Sequence, residues 1–135
     1  MLFGQEHVER YIETDGAEGH EWQPGVLTLL LTTTGRRTAR RYTTPLIYVR
    51  DGEDYLVVAS KGGADDDPDW YRNLSTDPKV TIQVGAEVLE GEATTLDAER
   101  RDRVWPRLTA TWPDYDDYTA KTDRDIPVVA ITPQM

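Results

Sequence analysis

Cysteine is absent from the 135 residues, which excludes a disulfide framework, a thiolate nucleophile and a zinc–thiolate site. Histidine is nearly absent: His7 and His20 both lie in the first segment. A histidine metal site needs more partners than that, so no metal is expected. Neither histidine belongs to a recognisable catalytic cluster, and both read as structural or exposed. No apolar run is long enough to span a bilayer. The N-terminus lacks the basic-then-apolar order of a signal peptide. By these absences the chain reads as cytoplasmic, with no stable membrane insertion. Lysine is scarce too: Lys61, Lys79 and Lys121 stand among fifteen basic residues, against 25 acids. The net charge of −10 argues against nucleic acid, which wants a basic face. Many acids with few lysines is the habit of proteins from high-salt cytoplasm; a GC-rich genome gives the same arginine bias.

What is present suits one domain over residues 1–135 with a single core. Val8, Tyr11 and Ile12 recur at helical spacing, so a helix is expected over Glu6–Glu13. Asp15–Gly25 reads as a loop. Val26–Thr33 is nearly unbroken apolar sequence, a central strand buried on both faces. Thr34–Tyr42 reads as a polar loop. Pro45–Arg50 and Asp54–Ser60 form a hairpin across Asp51-Gly52. Asp67 and Pro68 look like an N-cap and first helical residue for a short helix to Leu74. Val80–Val84 and Val88–Thr94 are a second hairpin. Asp97 opens a helix whose Val104, Leu108 and Trp112 share a face, and Pro106 is expected to kink or break it. Ile126–Ile131 is a final buried strand. About six strands, mostly antiparallel, with helices around them, predict a small closed barrel, α+β but mainly β.

Two stretches carry chemistry. Tyr55–Ala59 is an apolar strand that empties into Ser60, Lys61, Gly62 and Gly63, then three aspartates and a short aromatic helix with Trp70, Tyr71 and Asn73. Glycines let backbone approach a ligand closely, and a lysine at a strand end can pair with a phosphate. Upstream, Leu29–Leu31 runs into Thr32-Thr33-Thr34-Gly35-Arg36-Arg37-Thr38, a second strand ending in small, hydroxylated and basic residues. Arg36, Arg37, Arg40 and Arg41 form a basic block in an acidic chain. One anionic ligand gripped from two sides accounts for both; a solvated basic loop and a glycine corner account for each separately.

In this order and spacing the motifs resemble the deazaflavin (F420)-dependent nitroreductase family. The resembling segments are Glu18–Trp22, Leu29–Thr38, Thr44–Leu46, Ala59–Ala64, Pro68–Leu74 and Asp77-Pro78, with Trp105-Pro106 and Thr122–Pro127 near the C-terminus. Each alone is weak; together, in order over nearly the whole chain, they are specific. The resemblance implies a split β-barrel of the flavin-reductase or pyridoxamine-phosphate-oxidase type, flanked by helices. It implies transfer of a hydride from reduced F420 to an electron-poor acceptor: a quinone, an enone or a nitro compound.

Carried over residue by residue, Arg37, Thr38 and Arg41 would meet the cofactor's anionic tail. Ser60, Lys61, Gly62, Trp70 and Asn73 would hold its head, and Trp112, Tyr115 and Tyr118 would line the substrate pocket. Spacing by three would put those last aromatics on one helical face. Proton donation would come from Ser60, Tyr115, Tyr118 or water. Two departures stand out. Ala39 replaces a family glycine, and Tyr42 replaces an arginine whose task Arg40 or Arg41 would take. An FMN-binding split-barrel reductase and a non-catalytic F420-binding module remain as other classes. The partner is a small-molecule hydride acceptor, and peripheral membrane contact follows only if that acceptor is a lipid quinone.

Overall fold

The computed structural model describes residues 2–134. Its elements run α1 (Gly4–Glu13), β1 (Glu21–Gln23), β2 (Val26–Thr34), β3 (Arg41–Ile47), β4 (Val49–Asp51), β5 (Asp54–Val58), α2 (Asp69–Thr76), β6 (Lys79–Val84), β7 (Glu87–Thr95), α3 (Ala98–Thr111), α4 (Asp114–Lys121) and β8 (Val128–Pro133), with a 3₁₀ turn at Lys61–Gly63. All pairings are antiparallel: β1-β2-β6-β7-β8-β5-β4, with β3 also on β2. The sheet curls back on itself because β3 and β4 are one stretch of chain bent at Tyr48. Its first half pairs with β2 and its second half with β5.

Strand periodicity explains how the layers form. Side chains alternate between faces along a strand. Leu29, Leu31, Tyr55, Val57, Val129 and Ile131 point into the barrel and meet Val80 and Ile82 there. Their neighbours Leu56, Val58, Val128 and Ala130 point outward, under Val104 and Leu108 of α3 and Tyr115 of α4. Leu30 points outward on the other side, under Val8 and Tyr11 of α1. Strands β2, β5 and β8 are therefore buried on both faces, and their sequences lack a polar alternation for that reason. Each such aliphatic side chain contributes about 1.5–3 kcal/mol by its burial.

Several expectations need correction. The strand after the polar loop starts at Arg41, four residues before Pro45, because Thr32–Thr34 of β2 offer ladder partners to Thr43, Tyr42 and Arg41. Glu21–Gln23, read as loop, pairs with Val26 and Leu27. With the bend at Tyr48, these make eight strands among the described residues. Asp67 does not cap α2: the helix starts at Asp69, and the Asp67 carboxylate accepts from Arg124 instead. Pro106 does not break α3. It lies on the exposed side, where the carbonyl it leaves without a donor meets water. Ile12 is 52 % exposed and takes no part in the core. Asp97 caps α3 as expected, accepting from the Arg100 amide at 2.9 Å. The expected split barrel is the observed fold.

Candidate active site

The loop from Ser60 to Asp67 leaves the end of β5 and has few backbone partners of its own. It is held from outside by Arg124. That guanidinium, 12 % exposed, donates to the carbonyls of Ala59 (3.1 Å), Ser60 (2.9 Å) and Ala64 (2.9 Å) and to the Asp67 carboxylate (3.0 Å). Within the loop Lys61 adopts φ +47°, a left-handed conformation costly for a residue with a Cβ. Gly63, at φ +85°, lies so close to α4 that a Cβ there would stand 2.9 Å from the Tyr118 carbonyl. Loop and helix are thereby packed backbone against backbone. Lys61 Nζ donates to Asp66 at 2.9 Å and holds that carboxyl below the usual carboxylate range.

Two cavities meet beside this loop. The first, about 480 Å³, is walled by Trp112, Tyr115 and Tyr118 on one side, by Ser60, Lys61 and Gly62 on another, and by the N-terminal segment with His7 and Trp22. The second, about 440 Å³, is lined by Arg36, Arg37, Thr38 and Tyr42, facing Trp70 and Asn73 of α2. Thr44 and Trp70 line both, so the two spaces adjoin there. One is aromatic and the other basic.

The loop of the basic cavity is pinned by Asn73. This buried side chain accepts from the Arg36 amide (3.2 Å) and guanidinium (2.9 Å), and donates to Thr33 Oγ1 (3.2 Å). Ala39 takes φ +60°, the conformation a glycine would adopt without strain. Thr38 Oγ1 bonds the Tyr42 hydroxyl at 3.0 Å. Arg37 is exposed and has no ion pair among the described residues.

In the aromatic chamber, Trp22 leans on Trp112 (ring centroids 5.6 Å) and Trp112 Nε1 donates to the Tyr118 hydroxyl at 3.4 Å. Tyr115 is 5 % exposed, and burial, with Tyr118 beside it, pushes its phenol far above the ordinary range. Its hydroxyl and that of Ser60 have no hydrogen-bond partner among the described residues.

Ten of the eleven residues singled out from sequence line these cavities; Arg41 does not. It donates to Thr34 Oγ1 (2.8 Å) and Thr81 Oγ1 (2.7 Å), away from both spaces. Trp112, Tyr115 and Tyr118 do converge, but not on one helix: Trp112 ends α3, and Pro113 turns the chain into α4. The amide of Asn73 is committed to protein partners, so its visible task is holding the arginine loop. Sequence reasoning passed over His7, Trp22, Phe3 and Thr44 as cavity walls. The Glu18–Trp22 and Thr44–Leu46 segments were the signals that pointed there.

The model of the F420H(2)-dependent quinone reductase family matches residues 3–133. The chain belongs to that family. It is 40 % identical over 129 residues to an F420H(2)-dependent quinone reductase of Mycobacterium tuberculosis, covering 93 % of this chain and 87 % of that one. Its structure is similar to that of an F420-H2 dependent reductase (FDR-A), with a TM-score of 0.71 and 38 % identity over 77 % of this chain and 92 % of that one. The heme storage protein HutZ of Vibrio cholerae shares the fold alone: TM-score 0.63 and 16 % identity over 99 % and 92 % of the two chains. Family membership makes this chain an oxidoreductase that works with reduced F420, as the motifs implied. Among the described residues no helix is long and apolar enough to cross a membrane.

The donor set fits that cofactor. F420 carries a phosphodiester and a glutamate tail, and the second cavity presents Arg36, Arg37 and Thr38 against one carboxylate, the outward-facing Asp69. A Cβ built on Gly62 would meet nothing within 4 Å, so the loop leaves open space at the chamber wall.

Proposed function

We propose that reduced F420 lies across both cavities, its tail at Arg36–Thr38 and its ring system in the aromatic chamber, and that this protein reduces a quinone there. The observation that carries the reading is the junction at Thr44 and Trp70 of a basic and an aromatic space. A ligand flat at one end and anionic at the other suits that pair of spaces. When bound, reduced F420 supplies a hydride from C5; the protein supplies position and electrostatics.

Arg37 and Thr38 grip the tail by charge-assisted and hydroxyl bonds, with Asn73 keeping their loop in place. Lys61 exchanges Asp66 for a cofactor group. Ser60 and the Gly62 backbone bound the ring, and Arg124 fixes the loop that carries them. Trp112, Tyr115 and Tyr118 stack against a flat acceptor and exclude water, which is a proximity effect. The protein works in the cytoplasm, and a lipid quinone would be drawn from the membrane surface by peripheral contact.

Fluorescence titration with F420 and FMN, followed by steady-state turnover with a quinone, an enone and a nitro compound, tests the reading. F420 binds, FMN does not bind comparably, and the quinone is the best acceptor. Micromolar FMN binding without an F420 response overturns it.

A further inference from the structure

One wall of the aromatic chamber is built by α1 and the N-terminal segment. His7, on α1, is 3 % exposed and lines the chamber from the N-terminal side. Its ring is locked on one edge. Nε2 lies 3.0 Å from the Gly19 carbonyl, which can only accept, so Nε2 carries a proton. Thr28 Oγ1 donates to the same carbonyl at 2.6 Å and stands 3.3 Å from Nε2. Gly19, at φ +107°, makes this fit: a Cβ there would come within 2.9 Å of His7 Cδ2. Trp22 stacks along the ring at 6.5 Å and 17°. The other nitrogen, Nδ1, has no hydrogen-bond partner among the described residues, yet no buried side-chain nitrogen is left unsatisfied. Nδ1 is therefore not sealed in protein, and the space beside His7 is the chamber.

We propose that His7 delivers, through Nδ1, the proton that completes reduction of the acceptor. The inference rests on the placement of the acceptor in this chamber. A quinone gains two electrons and one hydrogen as a hydride from C5 of reduced F420, which leaves one quinone oxygen anionic. That oxygen takes the Nδ1 proton of the imidazolium, giving the hydroquinone and neutral His7 with Nε2–H still on Gly19. His7 reloads from solvent, and the cofactor's remaining proton returns to solvent, so electrons and atoms balance. The other free groups of the chamber are poorer acids at neutral pH. Burial raises the Tyr115 phenol well above its ordinary value, and the Ser60 hydroxyl is weaker still. Imidazole is the side chain whose ordinary titration falls near neutrality.

The titratable groups around His7 are Tyr11 on its own helix (ring centroids 6.2 Å), His20 beyond Tyr11, and Lys61, Tyr115 and Tyr118 across the chamber. Among the described residues the chamber lining contains no carboxylate.

His7→Gln decides the matter, because its amide nitrogen keeps the bond to Gly19 while the titrating group is lost. Wild-type kcat/KM for a quinone should carry an alkaline limb that falls tenfold per pH unit. His7→Gln should lose that limb and about 10²-fold or more of kcat/KM at neutral pH, with F420 affinity unchanged. His7→Ala should regain activity with added imidazole. Independently of turnover, long-range ¹H–¹⁵N spectra of the cofactor-free protein should show neutral His7 protonated at Nε2. An unchanged pH profile in His7→Gln, or the Nδ1–H tautomer, overturns the proposal while leaving quinone reduction standing. A wild-type protein inactive on quinones removes both readings together.

Discussion

Arg124 is the side chain on which the Ser60–Asp67 loop depends, and its replacement should be felt both in stability and in binding. Four hydrogen bonds radiate from one planar guanidinium to three carbonyls and a carboxylate spread over residues 59–67. Lysine keeps the charge but donates from a single point, so it cannot span them. Arg124→Lys should lose about two of these charge-assisted bonds, or roughly 2–4 kcal/mol once water reaches the more exposed acceptors. Arg124→Ala leaves the Asp67 charge and the buried Ala59 carbonyl without a partner and should cost about 3–5 kcal/mol. For a domain of this size each kcal/mol lowers Tm by roughly 3–4 °C. Calorimetry should therefore show a fall of about 6–15 °C for lysine and more for alanine. F420 titration of the folded fraction should show weakened binding, since Ser60–Gly62 is no longer fixed. Arg101, which donates to one carbonyl, Ile126 O, at 3.0 Å, is the internal control and should cost far less. Tm within about 2 °C of wild type for Arg124→Lys, with unchanged F420 affinity, would refute the reasoning. A large fall in Tm with unchanged affinity would mean that the loop does not touch the cofactor.

Other perturbations separate the remaining parts of the site. Lys61→Ala removes one charge-assisted contact and should weaken F420 binding roughly ten- to a hundredfold, with little change in Tm; Arg37→Ala should act in the same direction but less, because Arg36 adjoins it. Tyr115→Phe and Tyr118→Phe delete a hydroxyl and keep the ring. Near-silent kinetics with a raised KM for the alanine variants marks stacking, whereas a loss of 10²-fold in the phenylalanine variants marks a phenol as proton donor and competes with His7. Tyr11 has a phenol pushed up to about 12 by burial, an effect its bond from the Gly85 amide only partly offsets. A raised folded-state value stabilises the protein fully below the unfolded value near 10 and loses that contribution as pH climbs toward 12, so denaturation midpoints should drop across that window. In Tyr11→Phe the drop should be shallower and the midpoint at neutral pH lower, since the Gly85 amide loses its acceptor, at about 1–3 kcal/mol.

The sequence made legible what local pattern encodes. The strands from Val26 and Asp54 and the last strand, read as Ile126–Ile131, showed as apolar runs; Val80–Val84 showed by alternation, and the loops that line the two cavities by small and basic residues at strand ends. The parts it hid depend on distant partners. β1 is three residues long and exists because Val26 and Leu27 accept it. Arg41 and Tyr42 read as the end of a polar loop because one face meets solvent and the other meets threonines. Asp67 looks like a helix cap in isolation and is drawn away by Arg124, 57 residues on. Arg41 looks equivalent to Arg37, yet strand geometry turns it toward Thr81. His7 gave no signal, because its seat is made by a glycine twelve residues further along the chain.

The bend at Tyr48 and the placing of β8 have a consequence for how the chain is made. β8 is the last strand in chain order but sits between β5 and β7, inside the sheet. Until it emerges from the ribosome, β5 and β7 each present an unpaired edge, and β4–β5 has no ladder to the rest of the sheet, only the Tyr48 bend, the Ser60–Asp67 loop and side-chain packing. A nascent chain halted before Val128 holds the two halves of the protein without the element that unites them. Such open edges invite pairing with another chain. Ribosome-bound chains stalled upstream of Val128 should therefore engage holdase chaperones, and residues 1–135 held on an added C-terminal linker long enough to clear the exit tunnel should not.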